Sequence, residues 1–445
     1  MNFPEEIRFV RNHTVLSILY NLFLAIYSTG IRIASPWNTK AKLWIGGRKK
    51  FFKKLQKTYP SRQQKTVWMH CASLGEFEQG RPVLKKIKED FPGVSVVITF
   101  FSPSGYEIAV NDKDFKQVYY LPMDSPSHAK KLVNILRPDL VIWVKYEYWF
   151  YYLRELRKKN IPVLLISGVY RKSQPFFKWY GKFWQNMLMT FTHFFVQEES
   201  SKKHLQKIIP TEKITVSGDT RCDRVINIAE NFTDVPGIAN FCGTQKVIVA
   251  GSTWEDDEAE WTHFVKQHPE IKFIFAPHEI DAENLAFVRK EFPGSIFYSE
   301  WIDIMDPVSG ISNPVSGILH PSPNCLIIDN IGMLSRLYKY ATITYVGGGF
   351  GYNGLHNILE AAVFGKPVIF GPEYEKNFEA EELIDSSGAI SIANALELEK
   401  IVNNLLSVDN EVLTRGTAAK NYVYKNAGAT QKIISHIQKN RLLTN

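Results

Sequence analysis

Cysteine is scarce in this 445-residue chain, with only Cys71, Cys222, Cys242 and Cys325. None forms a C-x-x-C pair, which excludes the spacing of a structural zinc site or a thioredoxin-type centre and leaves reduced thiols in a reducing compartment. Acidic residues are almost missing from the first 75 positions, where Glu5 and Glu6 stand against thirteen Lys and Arg, a net +11. The whole chain carries +8, so the remainder carries −3. Basic charge confined to one end of a mildly acidic body excludes a nucleic-acid groove running over the protein. No small-x-small cleavage site follows the N-terminal apolar run, where Ser28-Thr29-Gly30-Ile31-Arg32 stands instead, so the run is read as retained in the mature chain. With 45% hydrophobic and 22% charged residues, disorder, collagen and a disulfide miniprotein are excluded, and the length suits two or three domains.

The apolar run, residues 14–27 (TVLSILYNLFLAIY), is apolar all round a helix except at Ser17 and Asn21, so it requires an apolar partner. Fourteen helical residues reach only about 21 Å against a hydrocarbon core of about 30 Å. Extension to Gly30 brings the run near the lower limit, so it either inserts into one leaflet or spans marginally. Eleven basic residues without an acid follow between Arg32 and Lys65, an arrangement attracted to anionic lipid on the cytoplasmic leaflet. The reading is a membrane-associated helix over 1–35 with the body on the cytoplasmic side of the cell inner membrane. The alternative is a helix packed on the body beside a solvated basic loop.

From residue 66, short β-branched or aromatic runs alternate with helical stretches, the pattern of parallel sheets covered on both faces. The expected strands are 66–71, 94–101, 117–121, 139–144, 162–167 and 193–197, then 246–251, 272–276, 295–299, 325–329, 342–346 and 367–370. Two Rossmann-like doubly wound α/β domains fit this series, 36–216 and 246–445, joined by a Gly/Asp/Asn-rich linker at 217–245, with the site expected in a cleft between them. The helical stretch 396–443 suits either half. The repeat PVSGI at 307–311 and 314–318 reads as a local loop duplication.

Several constellations can carry chemistry. In HCASLGEFEQGRP, Glu76 falls where a strand ends and a helix begins; a carboxylate there can act as general base, or merely complement the helix dipole. In FFSPSGYE, Ser102 or Ser104 either caps a helix or helps bind an anion. The turn Gly347-Gly348-Gly349 allows close backbone approach to a phosphate or sugar, and the following helix is expected to present His356, Asn357 and Glu360 on nearly one face. The G-x-G-x-x-G match at Gly349, Gly351 and Gly354 comes too late in its domain for a dinucleotide fingerprint. Ser252 and Thr253 precede an acid-rich helix start, and Pro277-His278 ends the next strand. Arg221 and Lys145 are cations suited to an anionic leaving group, or plain partners of Asp219, Asp223 or Glu147.

Taken in order, His70-x-x-Ser73-x-Gly75-Glu76, Ser102-Pro103-Ser104-Gly105-x-Glu107, Tyr120-Leu121-Pro122-x-Asp124, Glu147-x-Trp149, Gln197-Glu198, Gly251-Ser252-Thr253, Val346-Gly347-Gly348 and His356-Asn357-x-x-Glu360-Ala361-Ala362 resemble the 3-deoxy-D-manno-octulosonic acid (Kdo) transferases, glycosyltransferase family 30. The resemblance runs from about 66 to 390. It implies a GT-B fold and inverting transfer of Kdo from CMP-Kdo to the lipid A precursor, lipid IVA, in lipopolysaccharide core synthesis, with no metal and no cofactor. Catalytic roles are implied for Glu76 as base, with Arg221, Lys145 and Glu147. Donor binding is implied for Ser252, Thr253, Pro277, His278, Gly332, Met333, Gly347, Gly348, Gly349, Asn357 and Glu360. Arg221 stands where the family usually has Lys, Lys145 where it has an acid, Pro277 where Arg is frequent and Met333 where Glu is frequent. Two readings compete: another GT-B nucleotide-sugar enzyme, such as a UDP-sugar transferase or epimerase, and a non-catalytic nucleotide-binding protein recruited to the membrane.

Overall fold

Strand β1 (Thr66–Cys71) is buried at every position, and parallel strands covered by helices on both faces demand such continuous apolar runs. In a computed structural model describing residues 14–59, 64–305, 323–351, 354–375, 377–408 and 410–444, the chain divides into two compact units. One comprises the residues up to Asp223 together with those from Gly428 onward; the other is Arg224–Ala427.

The first unit holds β1, β2 (Ser95–Phe100), β3 (Val118–Tyr120), β4 (Leu140–Val144), β5 (Val163–Gly168), β6 (His193–Val196) and β7 (Ile214–Val216) in the order β3-β2-β1-β4-β5-β6-β7. All pairings are parallel, with Val67 to Cys71 opposite Val96 to Phe100 and Val67 to His70 opposite Leu140 to Trp143. Alternation of side chains splits its core: Trp68, Trp143 and Tyr152 pack on one face, and Met69, Phe77 and Phe100 on the other. The second unit holds β8 (Val247–Thr253), β9 (Lys272–Pro277), β10 (Ile296–Phe297), β11 (Cys325–Ile327), β12 (Ile343–Val346), β13 (Val368–Phe370) and β14 (Ala389–Ser391), ordered β10-β11-β9-β8-β12-β13-β14 around Trp261, Phe273 and Tyr345.

Four sequence expectations change. The strand expected at 295–299 is only Ile296–Phe297, because Tyr298 already opens the helix Tyr298–Met305. The stretch 217–245 is no loose linker: it forms the helices Thr220–Glu230 and Ile238–Cys242 and buries Cys222, Val225, Ile238 and Phe241. The assignment of 246–445 to one domain is also corrected. The last helix, Ala429–Lys439, inserts Ile433, Ile434 and Ile437 into the Met69–Phe77 layer of the first unit, and Asp223 accepts its Gly428 and Thr430 N–H groups. Finally, the N-terminal helix runs Thr14–Ala34, seven residues beyond the apolar run, and its segment Leu16–Ala34 is long and apolar enough to cross a membrane. The PVSGI repeat lies outside the described residues.

That helix is anchored by its few polar side chains. Tyr20 donates to Asp124 at 2.7 Å, and Asn21 accepts from the Tyr151 hydroxyl at 2.9 Å. Asp124 also accepts the Tyr151 and Tyr152 N–H groups at 2.9 and 3.2 Å, capping the helix Phe150–Lys158. Leu24 is buried, while Ile18, Leu22 and Ile26 on another face remain more than half exposed. Burial pushes the Asp124 carboxyl up to about 6, against the pull of these three donors. Asp124→Ala is expected to cost about 2–4 kcal/mol in denaturant unfolding, because it strands three buried donors. A loss below about 0.5 kcal/mol contradicts the anchoring role.

Candidate active site

Strand order reverses between β1 and β4 in the first unit and between β8 and β12 in the second. Loops leaving adjacent strands there diverge to opposite faces, so a crevice opens beyond the strand carboxyl ends. The segments leaving β1, β4 and β12 carry Glu76, Lys145 with Glu147, and Gly347–Gly349, and β8 itself ends in Ser252–Thr253.

In the first unit, Ser73 is the N-cap of the helix Leu74–Asp90, and the Glu76 carboxylate curls back to accept the Ala72 N–H. Glu76 is only 9% exposed. Burial pushes its carboxyl up to about 7 and neighbouring Glu147 adds to the rise, against the Ala72 N–H and the Lys145 charge. In this geometry Glu76 completes the helix start, and its carboxyl lies where proton exchange falls near neutral pH.

Glu147 is held from beneath. It accepts from His70 Nε2 at 2.9 Å and from the Trp149 indole at 3.0 Å. His70 is wholly buried, with Nδ1 3.0 Å from the Thr99 hydroxyl, which accepts the Trp68 indole N–H at 2.8 Å. Nδ1 also lies 3.2 Å from the Thr99 carbonyl, so both sides of the ring are held while Nε2 faces Glu147. His70 sits in the motif that drew attention to Glu76, yet only its contacts reveal this positioning role. Lys145 takes a left-handed backbone (φ 55°) at the end of β4 and acts electrostatically on both Glu76 and Asp219. Arg221 grips Asp219 Oδ2 through Nε and Nη2 at 2.9 and 2.7 Å. Burial alone raises the Asp219 carboxyl, but Arg221, the local hydrogen bonds and Lys145 hold it below its usual range. Ser102 caps the helix Pro103–Ala109, accepting from Ser104 N at 3.4 Å.

In the second unit, the glycine turn is packed against the protein itself. Gly348 has φ 92°, and a Cβ on Gly349 stands 2.6 Å from Gly371 N. Asp257 ties this turn to the start of its own helix, Glu255–Gln267: it accepts from Gly348 N at 2.8 Å, Trp254 N at 3.0 Å and the Tyr345 hydroxyl at 2.6 Å. In sequence it is one acid among several favouring the helix dipole; its partners Gly348 and Tyr345 lie about 90 residues away. Thr253 donates to buried Glu258 at 2.8 Å, and burial pushes Glu258 up to about 7. Ser252 is left-handed (φ 55°), Pro277 pairs with Thr253 at the end of β9, and Gly332 (φ 101°) precedes Met333, the buried N-cap of the turn Leu334–Leu337.

The helix expected to carry His356, Asn357 and Glu360 on one face is corrected. The segment is a single turn, Leu359–Ala362, because His356 N bonds back to Gly347 O at 3.1 Å. Asn357 still reaches Glu360 at 3.3 Å, and Arg224, unmarked by any motif, pairs with the same Glu360 oxygen at 2.9 Å. His356 instead accepts from the Trp254 indole at 3.1 Å and stacks on His278 with ring centres 4.4 Å apart. Burial, then His278, pulls His356 down to about 4, and burial also lowers His278, so both imidazoles are neutral near pH 7. Any anion contact from His278 is thus an N–H dipole. The G-x-G-x-x-G match falls partly outside the described residues. Among the described residues, no three His, Cys, Asp or Glu side chains are placed to hold a metal ion.

The sequence profile of the 3-deoxy-D-manno-octulosonic-acid transferases (kdotransferases) matches residues 47–224. A 3-deoxy-D-manno-octulosonic acid transferase of Chlamydia trachomatis is 27% identical over 363 residues, covering 79% of this chain and 80% of that protein. The chain is thus similar to Kdo transferases over most of its length. That similarity supports a glycosyltransferase. A bifunctional glycosyltransferase/methyltransferase of Fusobacterium nucleatum is 25% identical over 401 residues, and the present chain spans 59% of the length of that protein. In fold, the chain is similar to UDP-GlcNAc 2-epimerase from Neisseria meningitidis (TM-score 0.60, 16% identity, 84% of this chain and 100% of that one), in keeping with a GT-B architecture of two parallel-sheet α/β domains. The electrostatics of Glu76 can be tested directly. Lys145→Met is expected to move the Glu76 titration midpoint upward from about 7, followed by carboxyl 13C NMR. An unmoved midpoint removes Lys145 from the Glu76 environment.

Proposed function

We propose that this protein is a Kdo transferase that moves Kdo from CMP-Kdo to a hydroxyl of the lipid A precursor lipid IVA, with inversion and without a metal, in lipopolysaccharide core synthesis. The observation that carries this reading is Glu76, a buried carboxylate at the strand-order reversal whose proton exchange falls near pH 7. Glu76 takes the proton of the acceptor hydroxyl as its oxygen bonds to the anomeric carbon of Kdo; the bond from that carbon to the CMP phosphate oxygen breaks, and CMP departs with the negative charge. Glu147, set by His70 and Trp149, orients the acceptor. Lys145, acting on Glu76, and Arg221, held on Asp219, supply positive charge for the anionic donor.

In the second unit, Glu360, held by Arg224 and Asn357, accepts ribose hydroxyls. Ser252, Thr253 and the Gly347–Gly349 backbone meet the phosphate, and Pro277, His278, Gly332 and Met333 border the base. The Thr14–Ala34 helix and the basic segment after it hold the enzyme on the cytoplasmic leaflet of the inner membrane. The exposed Ile18–Leu22–Ile26 face supports a helix lying in the interface, because its other face is tied to the body through Tyr20, Asn21 and Leu24.

The test is mass spectrometry of tetra-acylated lipid A precursor incubated with purified protein, CMP-Kdo and EDTA. A gain of one or more Kdo units is expected. Glu76→Gln is expected to lower turnover by at least about 100-fold while CMP binding persists. Unchanged turnover removes Glu76 from the chemistry; CMP binding without transfer by the wild type points to another sugar or acceptor, and competition by UDP in place of CMP points to the UDP-sugar reading.

A further inference from the structure

The N-terminal helix lines a groove that its anchoring role does not require. Leu19 and Phe23 of that helix form one wall, Phe183, Trp184 and Met187 another, and the Tyr146–Trp149 segment carries Glu147 into it, enclosing about 490 Å³. That volume lies within the range of about 300–1,000 Å³ typical of small-molecule pockets. Glu147 is the only charged residue in the lining. The polar atoms of several lining residues already have partners: Tyr20 donates to Asp124, Tyr148 and Tyr170 share a hydrogen bond at 3.0 Å, and the Trp149 indole serves Glu147. A ligand filling this groove therefore gains by burying hydrocarbon.

The groove is open to an apolar surface. Leu19 and Phe23 remain 53% and 59% exposed, and Trp179, beside Tyr180 and Trp184 in an aromatic string, is 95% exposed. Through Glu147 the same groove reaches His70 and the electrostatic environment of Glu76. One surface thus joins an apolar exterior to the candidate base.

We infer that this groove binds an acyl chain of the lipid acceptor, so that the Thr14–Ala34 helix is part of the acceptor site as well as an anchor. The inference rests on the proposed transfer to a lipid acceptor. A bilayer phospholipid chain shares the chemistry, but only an acceptor whose reacting hydroxyl must approach Glu76 accounts for a groove that ends at Glu147. The groove then acts on acceptor KM by aligning the headgroup, and it discriminates acylated from deacylated acceptors.

The experiment uses the full-length protein in detergent micelles, which removes the bilayer. Leu19→Ser with Phe23→Ser alters the groove wall at exposed positions, where folding is insensitive. Ile18→Ser with Leu22→Ser removes similar apolar surface away from it. The groove pair is expected to raise KM for the acylated acceptor at least tenfold more than for the deacylated acceptor, and the control pair is not. Equal effects of both pairs overturn the inference in favour of bulk partitioning, and no effect of either overturns it outright. A second measurement is independent of transfer: an acceptor brominated along its acyl chains is expected to quench tryptophan fluorescence, with most of the quenching lost in Trp184→Phe. Quenching without transfer retains the groove and refutes the proposed reaction; transfer without Trp184-dependent quenching does the reverse.

Discussion

Burial of both faces of a parallel sheet is the constraint on which the remaining structure depends. Strands such as β1 and β4 have no exposed face on which to place a reactive group, so polar chemistry is forced to their carboxyl ends. Where strand order reverses, the departing loops separate and leave room for a ligand. Glu76, Lys145 and Glu147 gather at that point in the first unit, and Thr253, Asp257 and Gly348 at the equivalent point in the second. Neither group is close in sequence. Topology brings each together.

The same burial gives Glu76 its chemistry. An exposed glutamate in a first helical turn is ionised at neutral pH and serves the helix dipole. Withdrawn from water and facing Glu147, the Glu76 carboxylate loses part of its solvation, and its proton affinity rises until it can hold a proton and release one near pH 7. The network from Trp68 through Thr99 and His70 fixes Glu147, so the second carboxylate stays near the first in a set orientation. Asp124 shows another use of buried charge: its three donors tie the N-terminal helix, the β3-proximal loop and the helix Phe150–Lys158 into one assembly.

Much of the sheet architecture was legible in sequence, because long buried strands leave unbroken apolar runs. β1 coincides with its expected bounds, whereas β7 and β14 escaped notice: three-residue strands such as Ile-Thr-Val and Ala-Ile-Ser at sheet edges carry too little pattern. The C-terminal stretch was legible as helical and suited to either half; that Ile433, Ile434 and Ile437 enter the Met69–Phe77 layer was not. Among site residues, Glu76 was visible from its place at a strand-to-helix junction. Asp257 and Arg224 were not, since their significance lies in contacts with Gly348 and Glu360 far along the chain. Asn21 reads in sequence as an interruption of an apolar helix; in the structure it joins Tyr20 in fastening that helix to the body.

The central claim is that burial makes Glu76 a base working at neutral pH, and the pH dependence of kcat/KM for Kdo transfer addresses it most directly. The account predicts a unit-slope rise with pH to a plateau, with its midpoint near 7. A profile already flat from pH 5 to pH 8, or a midpoint near the ordinary glutamate value of about 4.3, contradicts it.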